Sequence, residues 1–115
     1  MRPGWRAGLL ALAALVGPGE WTTYGDLAAA ADLPSPRIPA HVAATDPEFP
    51  NAARVLGAGG RIRRPTATAI ARVRARLEAE GVRFQGDRAD PARHVTWLDL
   101  RARAAGDRAT EMGLP

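Results

Sequence analysis

The sequence predicts an α+β fold that is mainly helical, and three features of the chain support this prediction. Apolar residues recur at helical spacing in several segments, the first being Trp5, Leu9, Leu12 and Val16. Two helical segments then flank a tight turn, Leu33-Pro34-Ser35-Pro36. Short apolar runs around a glycine-rich turn follow, as in a β-hairpin. This order is that of a winged helix-turn-helix with a small β-hairpin wing.

The first helix is predicted over residues 5–16 and ends at Gly17-Pro18-Gly19. Arg2 and Arg6, followed by an apolar run, also resemble the start of a signal peptide. The helical spacing of the apolar residues favours a helix that packs on a core. No apolar run is long enough to span a bilayer. We therefore expect a cytoplasmic protein with no membrane partner.

The second helix is predicted over residues 24–31, after a short extended segment. Thr23 stands where an N-cap belongs, and Asp26 follows three residues later, close to a capping box. The negative charge of Asp26 also suits the first turn, where the helix dipole favours it. These two residues make this the best-defined helix start in the chain.

The third helix is predicted from Pro36 to about Ala44, with Ser35 as its N-cap and Pro36 at the first helical position. Pro39 lies at the fourth position, where its ring begins to conflict with the preceding turn. We therefore expect this helix to start late or to be distorted.

The wing is predicted as a hairpin in which residues 54–56 pair with Arg61-Ile62 across the turn Gly57-Ala58-Gly59-Gly60. A fourth helix follows over residues 66–80, with Gly81 ending it.

The chain has 115 residues, which is enough for one core but not for two. We assign residues 1–84 to the winged-helix domain and residues 85–115 to a C-terminal extension. Apolar residues between 95 and 100 predict a short helix there, packed on the same domain, and the tail from Gly106 is expected to fray.

The residue types exclude most catalytic chemistry. The chain contains no cysteine, so disulfides, thiolate metal sites and thiol nucleophiles are excluded. The two histidines, His41 and His94, lie far apart and form no metal-ligand spacing or nucleophile–base pair. We predict no enzyme activity, no metal and no cofactor.

The positive charge of the chain is concentrated in one segment. The net charge is +4, and every basic residue is an arginine, as expected of a high-GC genome. Between residues 54 and 76 there is no acidic residue, which indicates a polyanion-binding surface or a solvated face. The arginines of this segment are Arg54, Arg61, Arg63, Arg64, Arg72, Arg74 and Arg76.

Five segments in this order resemble the DNA-binding domain of the alkylguanine-DNA alkyltransferases. They are GEWTTYGDLA (19–28), PRIPAHV (36–42), NAARVL (51–56), GRI (60–62) and LEAEGVRF (77–84). The resemblance extends over residues 5–84. It is stronger to the alkyltransferase-like proteins, which have this domain alone and lack the reactive cysteine.

The resemblance implies a role for several residues. Tyr24 matches the tyrosine that pushes on the phosphate beside an everted nucleotide, and Arg37 matches the arginine finger that enters the base stack from the minor groove. Ala52 lies at the position of the alkyl-acceptor cysteine, Ala53 at that of the histidine which activates it, and Arg54 at the following arginine.

The departures from the family pattern also carry information. Ala52 has no nucleophile and Ala53 cannot act as a base, so no alkyl transfer is expected. Many alkyltransferase-like proteins have a bulky residue where this chain has Ala52, which predicts a more open pocket. Pro36 and Pro39 replace the alanine and valine common in the third helix.

The residues themselves are compatible with DNA binding, and the resemblance decides in favour of it. Arg37 lies beside Ala40, Ala43 and Ala44, whose small side chains let a helix approach a duplex closely while the arginine fills a narrow minor groove. Spacing alone leaves Arg37 equally open to being a solvated charge on an ordinary packing helix. It also leaves Tyr24 open to being a core aromatic residue.

We predict a non-enzymatic protein that binds double-stranded DNA in the minor groove, senses modified bases by flipping them, and marks them for repair-pathway proteins. A winged-helix transcription regulator of undamaged DNA and an arginine-rich protein-interaction module remain alternatives. The predicted DNA-binding residues are Tyr24, Pro36, Arg37, Ala40, His41, Arg54, Arg61, Arg63 and Arg64.

Overall fold

Five helices and two small sheets form the fold in a computed structural model that describes residues 1–113. The helices are α1 (Trp5–Ala13), α2 (Tyr24–Ala30), α3 (Arg37–Thr45), α4 (Ala67–Ala79) and α5 (Trp97–Glu111). The strands are β1 (Thr22–Thr23), β2 (Val55–Leu56), β3 (Phe84–Gln85) and β4 (Arg88–Ala89). The predicted α+β class with mainly helical content is confirmed.

Helix α1 packs on the main core, as its apolar spacing predicted. Leu9 and Ala13 have no exposed surface, and Leu12 and Val16 are also buried. The helix ends at Ala13, three residues before the predicted end, and the backbone N–H groups of Leu15 and Val16 bond to Leu12 and Ala13 in tighter turns. Within residues 1–113, no helix has the length and apolar character needed to cross a membrane.

The N-terminus of α2 is capped by Thr23, as predicted. The Thr23 hydroxyl oxygen accepts a hydrogen bond from the backbone N–H of Asp26 at 2.9 Å. The Asp26 carboxylate accepts from the Thr23 hydroxyl at 2.7 Å and from the backbone N–H of Trp97 at 3.1 Å, and it lies 2.6 Å from Nε2 of His94. Asp26 therefore also joins the start of α2 to the start of α5.

Helix α3 begins one residue later than predicted, so Pro36 and not Ser35 is its N-cap residue, and the helix contains Pro39 without a break. The Ser35 hydroxyl accepts a hydrogen bond from the backbone N–H of Arg37 at 3.1 Å. Pro39 is the third residue of α3 and is buried. The first turn of a helix has no internal partners for its N–H groups, so proline is tolerated there.

The predicted hairpin of residues 54–62 is wrong. Strand β2 pairs in parallel with β1, in the register Thr22 to Val55 and Thr23 to Leu56. Val55 and Leu56 are fully buried, which suits an interior strand better than a wing. The antiparallel hairpin of the fold is β3–β4, further along the chain.

The glycine-rich segment after β2 forms a tight 3₁₀ turn, Ala58–Gly60, in place of the predicted hairpin turn. Gly60 has a φ of +82°, and a Cβ there would lie 3.1 Å from the Trp21 ring and from the backbone nitrogen of Ala89. Only glycine fits this close approach without a shift of its neighbours. The turn thereby directs Arg61 toward β4, with which it forms a β-bridge at Arg88.

Helix α5 is the longest helix of residues 1–113, so the prediction of a short helix is wrong. It continues through Gly106 to Glu111, and fraying of the tail stays a prediction; residues 114–115 lie outside the described residues. Thr96 and Asp99 form a complete capping box at its start. Leu100 is fully buried, whereas Leu98 is 60% exposed. The division of the chain at residue 84 stays a prediction.

Candidate nucleic-acid interface

A cleft of about 830 Å³ lies between the start of α2, helix α3 and the segments that flank the Ala58–Gly60 turn. All its lining residues lie between positions 23 and 65, so α5 does not cover it. The following predicted DNA-binding residues line the cleft: Tyr24, Pro36, Arg37, Ala40, Arg63 and Arg64.

Alanines form much of the cleft surface. Ala40, Ala43 and Ala44 contribute from α3, and Ala52 and Ala58 contribute from the other wall. Methyl side chains leave the backbone close to the surface, so a flat aromatic ring or a groove edge can approach it. Ala52 is half-buried and lines the cleft, which leaves the cleft open at this point.

Arg37 is the first residue of α3 and stands exposed at the edge of the cleft. Within residues 1–113 its guanidinium makes no hydrogen bond or ion pair; only its backbone N–H is bonded, to Ser35. An arginine that is anchored at a helix start and has no protein partner can reach outward to a ligand.

Arg64 fixes the geometry of the cleft wall. Its Nη1 donates to the hydroxyl oxygen of Tyr24 at 2.8 Å and to the backbone oxygen of Arg63 at 2.8 Å. Its Nη2 donates to the backbone oxygen of Ala52 at 2.9 Å. One guanidinium thus joins the first residue of α2 to the segment that carries Ala52. Because Arg64 occupies an acceptor site of the Tyr24 hydroxyl, the hydroxyl proton remains available to a ligand.

The cleft is positively charged. Three arginines line it, Arg37, Arg63 and Arg64, and no aspartate or glutamate does. A second groove of about 1000 Å³, between α1 and α5, differs in this respect because Asp32, Asp107 and Glu111 balance its arginines. The charge distribution therefore makes the smaller cleft more favourable to an anion than the larger groove.

Arg54 was also predicted to bind DNA, but its side chain is bonded to other parts of the protein, so a DNA contact of Arg54 stays a prediction. Its Nε and Nη2 donate to the Glu80 carboxylate at 3.0 and 2.9 Å, and its Nη1 donates to Asn51 Oδ1 and the backbone oxygen of Val16. The Arg54 side chain is only 11% exposed. The hydrogen bonds from Arg54 are the main reason that the pKa of Glu80 falls to about 2. Arg54 stabilises the fold and does not face the cleft.

Three more residues from the predicted site lie outside the cleft lining. His41 is exposed on α3, and its backbone oxygen accepts a hydrogen bond from the Thr45 hydroxyl. Arg61 is exposed, with its Nε 3.3 Å from Oδ2 of Asp87. Ala53 is half-buried in the turn Ala52–Arg54. DNA contacts of His41 and Arg61 remain predictions.

Sequence reasoning missed the residue that positions Ala52. Asn51 adopts a left-handed conformation with a φ of +57°, which asparagine tolerates better than most residues. Its Nδ2 donates to the backbone oxygens of Ala13 and Val16, both at 3.2 Å. These bonds hold the turn with Ala52 against the end of α1. An asparagine directly before a two-alanine turn was the available signal.

The fold and the cleft define a small helix-turn-helix domain of the winged-helix type, with a basic, alanine-lined cleft beside its third helix. A matching solved structure is the crystal structure of Schizosaccharomyces pombe Atl1, an alkyltransferase-like protein, in complex with damaged DNA containing O6-carboxymethylguanine. The TM-score is 0.62 and the identity 24%, over 74% of this chain and 83% of that chain. The fold expected from the resemblance is thereby confirmed.

Two other comparisons gave no match. No protein-family model matches this chain. No curated protein matches it either.

Proposed function

We propose that this chain is a non-enzymatic DNA-binding protein of the alkyltransferase-like kind, which receives a modified base in its cleft and marks it for repair. The observation that carries the proposal is a cleft that combines three arginines, no carboxylate and a surface of alanines beside a helix-turn-helix. The fold similarity to Atl1, crystallised with damaged DNA, supports it.

Arg37 acts as the inserting side chain. Its guanidinium stands at the edge of the cleft with no partner among residues 1–113, and Ala40 and Ala44 on the same helix leave room for the edges of a narrow groove. In this mechanism Arg37 enters the base stack from the minor groove and fills the space left by an everted base. Eversion costs a few kcal/mol and less at a damaged pair, which gives preference for lesions without any chemistry.

Tyr24 and the arginines of the opposite wall hold the DNA backbone. The Tyr24 hydroxyl, positioned by Arg64, can donate a hydrogen bond to the phosphate beside the everted nucleotide. Arg63 is exposed at the cleft and contributes a further phosphate contact. Each contact of this kind makes binding more dependent on salt.

Binding occurs without alkyl transfer. Ala52 lines the cleft with a methyl group, and the chain contains no cysteine that could accept an alkyl group. The everted base therefore stays unmodified, and the protein remains on the DNA as a mark for repair-pathway proteins. Intact-mass spectrometry after incubation with an alkylated oligonucleotide should show no covalent adduct.

The experiment that tests the proposal is a fluorescence-anisotropy titration of matched duplexes with and without an O6-alkylguanine, at two salt concentrations. We expect tighter binding to the modified duplex. Arg37→Ala should weaken binding at least about tenfold. The control is Arg108→Ala, which removes an exposed arginine from the groove between α1 and α5 and should leave the affinity unchanged.

Three outcomes would contradict the proposal. Unchanged affinity of the Arg37→Ala variant would exclude the inserting role. Sequence-selective binding with no gain from the modified base would favour a transcription regulator. No binding of any duplex at low salt would favour a protein-interaction module.

A further inference from the structure

The hairpin β3–β4 presents an arginine on the face that points away from the core. Gln85 lies opposite Arg88, and Phe84 lies opposite Ala89. Ala89 is buried and Phe84 packs on the same core cluster. Because side chains alternate along a strand, Gln85 and Arg88 project to the solvent side. Arg88 is exposed there.

Two arginines face each other at this hairpin. Arg61 and Arg88 are directly opposed in an antiparallel β-bridge. Like charges in such a position repel each other. Oδ2 of Asp87 lies 3.3 Å from Nε of Arg61, but the Asp87 side chain is 75% exposed. This ion pair therefore does little to offset the repulsion between the two arginines. Within residues 1–113 Arg88 has no acidic partner. An anion bound between the two arginines would remove the repulsion.

The two arginines adjoin the cleft. The Arg88 guanidinium carbon lies 3.8 Å from the position that a Cβ on Gly59 would occupy. Gly59 directly follows Ala58, which lines the cleft. Arg63, another lining residue, folds over Gly57 in the same segment. The positive surface therefore continues from the cleft, across the Ala58–Gly60 turn, to the hairpin.

We propose that Arg61 and Arg88 form a phosphate-binding pair that contacts the DNA backbone outside the cleft, so that β3–β4 serves as the wing. This inference rests on the proposed function. A duplex carries about one charge per 1.7 Å of its axis, so DNA that leaves the cleft over Gly59 places phosphates within reach of the pair. Guanidinium groups bind phosphate with two parallel hydrogen bonds. Such a contact adds affinity for modified and unmodified duplexes alike.

The test is a salt series of anisotropy titrations with an unmodified duplex of about 20 base pairs, or two helical turns. Arg88→Gln should lower the slope of log K against log salt by about 0.9, which corresponds to roughly eightfold weaker binding at about 0.1 M salt. The matched control is Arg108→Gln, an equal charge change in the opposite groove, which should leave the slope unchanged.

A second variant is expected to strengthen DNA binding by the two arginines. Asp87→Asn removes the carboxylate that competes for Arg61, so we expect tighter binding and a steeper salt dependence. A purely structural role of Arg88 would change thermal stability without changing the salt slope. Circular dichroism establishes that each variant is folded.

The outcomes separate this inference from the proposed function. If Arg88→Gln behaves like Arg108→Gln while Arg37→Ala still weakens binding, the phosphate pair is refuted and the cleft mechanism stands. If the unaltered protein binds no duplex at low salt, both the phosphate pair and the proposed function are refuted. Stabilisation by inorganic phosphate that depends on Arg88, with no effect of Arg88→Gln on DNA affinity, would overturn the proposed contact with the DNA backbone.

Discussion

Replacing Glu80 by glutamine should destabilise the protein by about 3 kcal/mol at neutral pH. The Glu80 carboxylate accepts hydrogen bonds from Arg54, from Arg76 and from the backbone N–H of Gly19. Its side chain is 12% exposed. Glutamine keeps the shape of the side chain but leaves the guanidinium of Arg54 without a counter-charge in a largely buried place.

The magnitude follows from the pKa of Glu80. Hydrogen bonds from Arg54, more than any other contact, lower this pKa from 4.5 to about 2 in the folded protein. At 1.36 kcal/mol for each pH unit, the difference corresponds to about 3 kcal/mol. Because the folded pKa is the lower one, the stabilisation is complete above pH 4.5 and is lost as the pH falls toward 2.

The assay is urea denaturation of the natural and Glu80→Gln proteins at about pH 7 and about pH 3. The difference in unfolding free energy should shrink from about 3 to about 1 kcal/mol between these two conditions. The control is Glu78→Gln, in the last turn of α4 just before Glu80; the Glu78 side chain is 51% exposed and pairs with Arg74. The control change should lower the unfolding free energy by less than about 0.5 kcal/mol. An equal difference at both pH values, or one no larger than that of the control, would refute the role assigned to this carboxylate.

Two further predictions concern the turn after β2 and the cleft wall. Gly60→Ala should lower the unfolding free energy by about 2–4 kcal/mol in thermal denaturation, because Gly60 has a left-handed backbone and the new methyl group would meet the backbone of Ala89. The control Gly86→Ala, at a φ of +60° with open space around it, should lower it by only about 1–2 kcal/mol. Similar losses for both variants would show that the close approach at Gly60 is unimportant. Arg64→Ala should lower the unfolding free energy by about 1–2 kcal/mol and weaken DNA binding, because it removes the hydrogen bonds to Tyr24 and Ala52. Arg63→Ala should weaken DNA binding and leave the stability unchanged. Equal stability of the two variants in urea denaturation would contradict the bridging role of Arg64.

Helix starts were predictable because their signals are local. Thr23 lies three residues before the backbone N–H that it caps, so a short stretch of sequence contains both partners. Tyr24 and Arg37 are each the first residue of a helix, so their places at the helix starts beside the cleft also follow from local sequence.

The features that sequence reasoning missed concern partners that are distant in the sequence. Strand β2 has two residues, too few to show which strand it pairs with, and its partner β1 lies more than thirty positions earlier. Arg54 stands in an arginine-rich segment, and nothing in that segment shows that Glu80 lies against it in the fold. Arg88 was overlooked for the same reason, because its nearness to the cleft depends on the path of the Ala58–Gly60 turn.

The surroundings of Trp21 connect residues 90–95 to the segment before α2, and we therefore expect the C-terminal segment to be needed for folding. The backbone N–H and C=O of Trp21 bond to Arg93 and Val95, its indole N–H donates to Asp90, and its ring stacks on His94 at 4.3 Å. Truncation before these residues would expose the large aromatic side chain of Trp21, just before α2, to solvent. Shortened versions that end near residue 84 should therefore misfold or aggregate, although every residue lining the cleft would still be present.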